Sequence, residues 1–82
     1  MSAERARVIG RWTSVERVGN ADFEVQQIRL PHDAGRNAVR RLLVDEAEYG
    51  GWELVRLRRY RSGVRDAWLR RRIIRQRATL VG

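Results

Sequence analysis

The residues best equipped for chemistry are the arginines and aromatic residues near the C-terminus. The segment WLRRRIIRQR, residues 68–77, holds five arginines in ten positions, with a tryptophan, a leucine and two isoleucines between them. Guanidinium groups make bidentate contacts with phosphate or carboxylate, and neighbouring aromatic rings can stack on bases. The same pattern is typical of a solvated strand, so the segment alone leaves both interpretations open.

Residues suited to catalysis are few. His32 is the one histidine, in a predicted loop without a partner to orient it. Ser14 and Ser62 have no evident base nearby. Asp45 and Glu48 lack the oxygen-rich loop of a cation site, and the chain has no cysteine, glycine-rich phosphate loop or zinc pattern. We therefore expect a non-enzyme with no catalytic residue, cofactor, metal or small-molecule substrate.

The net charge lies in the last third of the chain. Residues 54–82 hold ten arginines and one acid, whereas residues 1–53 hold eight arginines and nine acids, and the whole chain carries +8. This asymmetry indicates an anionic partner. The longest apolar run is Leu42-Leu43-Val44, and the start lacks the apolar core of a signal peptide. We predict a cytoplasmic protein with no membrane partner.

The hydrophobic pattern predicts a small α+β domain. Residues 7–18 fit neither period cleanly but lean towards a strand, and Phe23–Leu30 predicts a strand that Pro31 ends. A helical stripe of apolar residues follows from position 38 to 47, with Asp33 or Asn37 as N-cap and Gly50 as the left-handed C-cap. Residues 52–61 and 65–75 predict a hairpin that turns at 62–63. The expected core consists of Trp52, Leu54, Leu42, Leu43, Val39 and Ile28.

The register of this hairpin is predicted from its charges. A two-residue turn places Arg59 opposite Asp66 and Leu57 opposite Trp68, and it opposes no two arginines. Like charges directly opposite destabilise a strand pair, so this register is favoured over a shift by one residue.

Both faces of the hairpin carry enough apolar surface to need a cover, and one helix covers only one of them. Either the N-terminal segment with Trp12 closes the second face, or another chain does. The helix has its arginines in the first half and its acids, Asp45, Glu46 and Glu48, in the second, against its dipole. We expect those acids to pair with arginines of the hairpin, namely Arg56, Arg58 or Arg71.

The stretch AEYGGWELVRLRRY, followed by WLRRRIIR, resembles a family of small uncharacterised actinobacterial proteins, a domain of unknown function. Gly51 to Val55, GWELV, is more distantly similar to a widespread bacterial family whose helix ends in the same turn. The closer resemblance covers residues 23–77. It implies a strand-helix-strand-strand fold and no activity, cofactor or catalytic residue.

We therefore expect an antiparallel sheet of three or four strands with one helix on a face. Residues 23–77 form a β-α-β-β core, residues 1–22 an N-terminal extension that leans towards a strand, and residues 78–82 a tail. The favoured function is a non-catalytic association module, a homodimer or a subunit bound to an acidic protein, with Trp68, Val55, Leu57 and Ile74 as its surface. The alternative is nucleic-acid backbone binding by Arg58, Arg59, Arg61, Arg70, Arg72 and Arg75.

Overall fold

The computed structural model describes residues 6–74. Its elements follow one another as β1 (Gly10–Val18), β2 (Ala21–Leu30), α1 (Arg36–Gly50), β3 (Glu53–Arg59) and β4 (Arg65–Arg72). The strands form one antiparallel sheet in the spatial order β1-β2-β4-β3. The predicted α+β class, with a four-stranded antiparallel sheet and one helix, is confirmed.

The core lies between α1 and the two central strands, β2 and β4. Alternate residues of these strands point at the helix, because side chains of a strand alternate between its two faces. Ile28 pairs with Ala67 across the two strands, and Leu42 of α1 is buried with them. The buried apolar residues are Ala6, Ile28, Leu30, Val39, Leu42, Ala67 and Leu69.

The predicted core is right for its helix and β2 members and wrong at one position. Leu43 and Trp52 are only partly buried and pack against the core. Leu54 is 43% exposed, because it lies on β3, an edge strand whose residues are all exposed. A strand at the sheet edge has a neighbour on one side only, and the buried sheet residues that cluster with α1 come from β2 and β4.

The ends of α1 differ from the predicted ones. Gly35, rather than Asp33 or Asn37, is the N-cap, and no side chain caps this end. At the other end Gly51, not Gly50, adopts the left-handed conformation at φ 70°. Gly50 is needed for a different reason, since a Cβ atom there would lie 2.5 Å from the Trp52 ring.

The predicted hairpin register is wrong because the β3–β4 turn has three residues instead of two. The Tyr60 amide donates to the Val64 carbonyl and the Gly63 amide to the Tyr60 carbonyl, each at 2.8 Å, with Gly63 at φ 94°. Such three-residue connections place a glycine at the left-handed position. The resulting register sets Arg59 opposite Arg65, a pairing that the Arg65 guanidinium relieves by donating to the Ala34 carbonyl at 2.9 Å.

A β-bulge then shifts the pairing once more. Leu54 pairs with Leu69 and Arg56 with Trp68, so Val55 is the extra residue of β3. A bulge places two consecutive side chains of one strand opposite a single partner residue. Leu57 lies between the turn and the bulge, so the turn register alone pairs it with Ala67 on the helix side of the sheet, and the predicted pairing of Leu57 with Trp68 is wrong.

Candidate interaction surfaces

The first candidate surface is the sheet face opposite α1, here called the open face. Residues 10–18 do not cover it, because they form β1 and pair edge-on with β2 along the whole length of the strand. The strand registers place the following side chains on this face: Trp12, Ser14 and Glu16 of β1; Phe23, Val25, Gln27 and Arg29 of β2; Asp66, Trp68, Arg70 and Arg72 of β4; and Glu53, Val55, Arg56 and Arg58 of β3.

Arginines stack on the aromatic rings of the open face. The guanidinium carbon lies 5.5 Å from the ring centre for Arg29 over Trp12, 4.7 Å for Arg70 over Phe23, 5.0 Å for Arg56 over Trp68 and 4.7 Å for Arg58 over Tyr60. These distances fall within the range of cation–π contacts. The face is therefore a layer of rings covered by guanidinium groups, which lets large apolar side chains lie next to water.

A buried carboxylate organises one end of the open face. Asp66 is fully buried and accepts two hydrogen bonds from Arg29, both at 2.8 Å. It also accepts one from the Tyr60 hydroxyl at 2.9 Å and one from the Gln27 amide at 3.2 Å. The bonds from Arg29 hold the pKa of Asp66 below its ordinary value despite the opposing effect of burial, and the same contact raises the pKa of Arg29. Asp66 is thus ionised and structural at neutral pH.

The second candidate surface is the outer edge of β1. This strand is nine residues long, and eight of them are exposed. Its pairing with β2 runs without a bulge from Gly10 to Val18, and Trp12, Val15 and Val18 are among the exposed large apolar residues. Among residues 6–74 nothing pairs with this edge.

The third candidate surface is a groove between α1 and β3, with a volume of about 560 Å³. Its lining combines apolar side chains with four arginines. The lining residues are Arg36, Val39, Arg40, Leu43, Val44, Ala47, Leu57, Arg59 and Arg65. These arginines would repel another basic segment and favour an acidic one.

The arginines predicted to bind nucleic acid do not share one surface. Arg58, Arg70 and Arg72 lie on the open face. Arg59 lines the groove on the opposite side, and Arg61 is exposed in the β3–β4 turn. Arg75 lies outside the described residues.

The residues predicted to form one association surface are likewise separated. Trp68 and Val55 share the open face and line one shallow pocket. Leu57 lies on the helix side because the three-residue turn pairs it with Ala67. Ile74 is exposed beyond the end of β4.

The predicted pairing of the helix acids with the hairpin arginines is wrong for Arg56 and Arg58, which lie on the face away from α1. The Oε1 atom of Glu46 instead lies 3.9 Å from the Nη1 atom of Arg11 in β1, and it accepts a hydrogen bond from the side-chain amide of Gln26. Arg71 does lie on the helix side, but its ion pair there is with Glu24 of β2. Its side chain donates to Glu24 and to the Gly50 carbonyl, each at 2.7 Å.

The sequence interpretation missed the partners contributed by β1 and β2, chiefly Trp12, Phe23 and Arg29. Alternation along β4 already places Asp66, Trp68 and two arginines in one row. The neighbours of that row were not predicted because β2, and not only β3, borders β4. No signal in the sequence marked this strand order.

The described part of the chain contains no cluster of three or more potential metal-ligating side chains. Within residues 6–74, α1 is neither long enough nor apolar enough to cross a membrane.

The fold and its surfaces define a small α+β domain with an arginine-covered open sheet and an unpaired strand edge. A protein-family model described as a family of unknown function (DUF5703) matches residues 22–72. The chain belongs to this family, and the predicted membership in a family of unknown function is confirmed. The matched segment contains β2, α1, β3 and β4, whereas β1 precedes it. The chain matches no curated protein and no solved structure.

Proposed function

We propose that the protein is a non-catalytic association module that forms a homodimer by pairing the outer edges of two β1 strands. The observation that carries this proposal is the exposed, regular, nine-residue edge of β1. Long, flat, apolar strand edges are templates for pairing with another chain. In the dimer, two four-stranded sheets become one eight-stranded sheet, with both helices on the same side.

The other free edge, β3, is protected in ways that β1 is not. Its bulge at Val55 interrupts the ladder, and three of its seven residues are arginines. Bulges and charged side chains are the devices by which proteins block edge-to-edge pairing. The contrast favours β1 as the pairing edge.

The hydrogen-bonding pattern of β1 determines which residues are available to a partner. Gly19 and Asn20 form a two-residue turn, with Gly19 at φ 64°, so Val18 and Ala21 are a hydrogen-bonded pair. Alternate residues of β1 then bond to β2, and the odd-numbered ones point their N–H and C=O groups outwards. These outward groups can form a second ladder.

The charges and apolar residues of β1 favour a two-fold axis at Val15. In that register Trp12 lies opposite Val18 of the partner subunit, and Ser14 lies opposite Glu16 of the partner subunit. Moving the axis to Ser14 would place Arg11 directly opposite Arg17 of the partner subunit. Like charges directly opposite are destabilising. A closed two-fold interface of this kind is isologous, so it ends at the dimer.

Sedimentation equilibrium over a wide range of protein concentration tests the proposal. The wild-type protein is expected to reach twice the chain mass of 9.6 kDa. The Val15→Lys variant should remain monomeric, because two lysines would face each other across the axis. Far-UV circular dichroism checks that the variant is folded.

The matched control is Val44→Lys, which places the same charge at another exposed valine, in the α1–β3 groove. Val15 is 65% exposed and Val44 45% exposed, so both lysines can reach water. The control should still dimerise. A monomeric wild-type protein, or a dimer that Val44→Lys disrupts and Val15→Lys does not, would overturn the proposal.

A further inference from the structure

The open face has the side chains of a stacking surface for nucleobases. Four aromatic rings, those of Trp12, Phe23, Tyr60 and Trp68, lie under four guanidinium planes. Bases stack both on aromatic rings and on arginine planes. The layer therefore presents planar surfaces to a ligand wherever the face of a guanidinium or of a ring is open to water.

The arginines of this face divide into neutralised and available ones. Arg29 is paired with Asp66, and the Nε atom of Arg70 lies 3.5 Å from the Glu53 carboxylate. The other three, Arg56, Arg58 and Arg72, are exposed and form no ion pair with any acid of residues 6–74. Arg56 and Arg58 form a row on β3, and Arg72 lies at the end of β4, beyond Arg70.

A concave site of about 260 Å³ lies beside this row and reaches across the sheet. Trp68 and Val25 provide apolar surface there, and Arg56 and Arg70 provide positive charge. The full lining is Glu16, Val25, Val55, Arg56, Trp68 and Arg70. A planar ring entering this site would lie against Trp68 while its phosphates reached the arginines.

We propose that the open face binds single-stranded nucleic acid, with bases stacked on the arginine–aromatic layer and phosphates held by Arg56, Arg58 and Arg72. A single strand is favoured over a duplex because its bases are free to stack on protein side chains. The sheet also presents a flat face rather than an element that enters a groove. This function goes beyond dimerisation and does not depend on it.

The test is a fluorescence-anisotropy titration of the full chain with a labelled mixed-sequence single-stranded oligonucleotide at several salt concentrations. The variant carries Arg56→Gln, Arg58→Gln and Arg72→Gln. The matched control carries Arg36→Gln, Arg40→Gln and Arg41→Gln on exposed positions of α1, so both proteins lose three positive charges. Because each neutralised phosphate of a single strand contributes about 0.7 to the salt slope, the open-face variant should lower the slope by about 2, and the control should leave it unchanged.

Two further ligands separate base stacking from attraction to any polyanion. A polyphosphate of matched charge and a duplex of the same sequence should each bind at least about tenfold more weakly than the single strand, because stacking on one aromatic residue accounts for about that factor. Trp12→Leu replaces an exposed ring. It should weaken binding of the single strand and leave binding of polyphosphate unchanged.

The outcomes that overturn the inference are distinct from those that overturn dimerisation. Absence of binding at low salt, equal losses in the two triple variants, or equal affinity for polyphosphate and single strand would each refute it. The Val15→Lys variant distinguishes the two proposals, because a folded monomer should still bind the single-stranded nucleic acid through its one open face.

Discussion

Replacing Asp66 by asparagine removes the buried charge that joins β2, β4 and the β3–β4 turn on the open face. The carboxylate accepts four hydrogen bonds, two of them from Arg29. Asparagine keeps the size but offers one acceptor oxygen instead of two, and its NH₂ group faces a donor. At least one charge-assisted bond is therefore lost, together with the ion pair.

The expected loss of stability follows from the burial of the carboxylate. A hydrogen bond to a charged group contributes about 1.5–3 kcal/mol, and breaking a buried ion pair costs about 3–5 kcal/mol. The Arg29 side chain is 41% exposed, so water partly solvates it once its partner is gone. We therefore expect Asp66→Asn to lower the unfolding free energy by about 2–4 kcal/mol. The total unfolding free energy of a chain of this length is about 4–12 kcal/mol.

The effect has a pH dependence with a defined sign. The folded-state pKa of Asp66 is lowered, so its stabilising contribution is fully present above the unfolded pKa of about 3.9. That contribution is lost as the pH falls from this value through the folded pKa. The difference in stability between wild type and Asp66→Asn should thus be constant near neutral pH and shrink in acid.

Thermal unfolding followed by circular dichroism, from neutral pH down to below the unfolded pKa, measures both effects. The variant should melt about 10–25 °C lower near neutral pH, given about 4–8 °C per kcal/mol for a domain of this size. Asp33→Asn is the control, because Asp33 is exposed and its removal changes the net charge equally. A melting temperature within a few degrees of wild type, or a difference that grows in acid, would refute the structural role of Asp66.

Three further predictions concern stability and are checked by urea unfolding. Leu42→Ala, at a fully buried position, should lower the unfolding free energy by about 2–5 kcal/mol, and an unchanged midpoint would contradict the packing of α1. Gly51→Ala should lower it by about 1 kcal/mol through backbone strain at φ 70°. Arg71→Gln should lower it by about 1–2 kcal/mol, because the guanidinium donates to the Gly50 carbonyl at the helix end.

Local signals in the sequence were sufficient to predict β2 and α1, whereas residues 7–18, which contain β1, fit neither period cleanly. Periodicity and Pro31 defined β2, and the apolar stripe defined α1, because these patterns depend on neighbours within one turn or one strand. The cap residues were less predictable. Asp33 and Asn37 have good capping side chains, yet the chain turns into α1 at Gly35, and tertiary packing decides where such a turn begins.

The pairing of strands could not be predicted from charges alone. A register that places Arg59 opposite Arg65 brings like charges together, yet the three-residue turn at Gly63 sets this register. The Arg65 guanidinium donates a hydrogen bond to the Ala34 carbonyl, which offsets the repulsion. The same turn register pairs Leu57 with Ala67 and so places it on the helix side. A shift of one residue exchanges the faces of a strand, so the candidate site residues were divided between two surfaces.

The open face depends on contacts between residues far apart in the chain. Arg29 and Asp66 are separated by 37 positions, and their pairing follows from the insertion of β4 between β2 and β3. Alternation within β4 identified Trp68, Arg70 and Arg72 as one row. The stacking partners on β2, Phe23 and Arg29, could be assigned to this face only once the strand order was known.

The most direct test of the association proposal is an isotope-filtered NMR experiment on a mixture of labelled and unlabelled protein. In the proposed register, Ser14 forms a non-hydrogen-bonded pair with Glu16 of the partner subunit. The Cα atoms of such a pair in antiparallel sheets lie about 4.5 Å apart. A nuclear Overhauser effect between their α-protons is the predicted result. Intermolecular effects confined to Val44 and Leu57 in the α1–β3 groove, or none between β1 residues at concentrations where the mass is that of a dimer, would contradict pairing through β1.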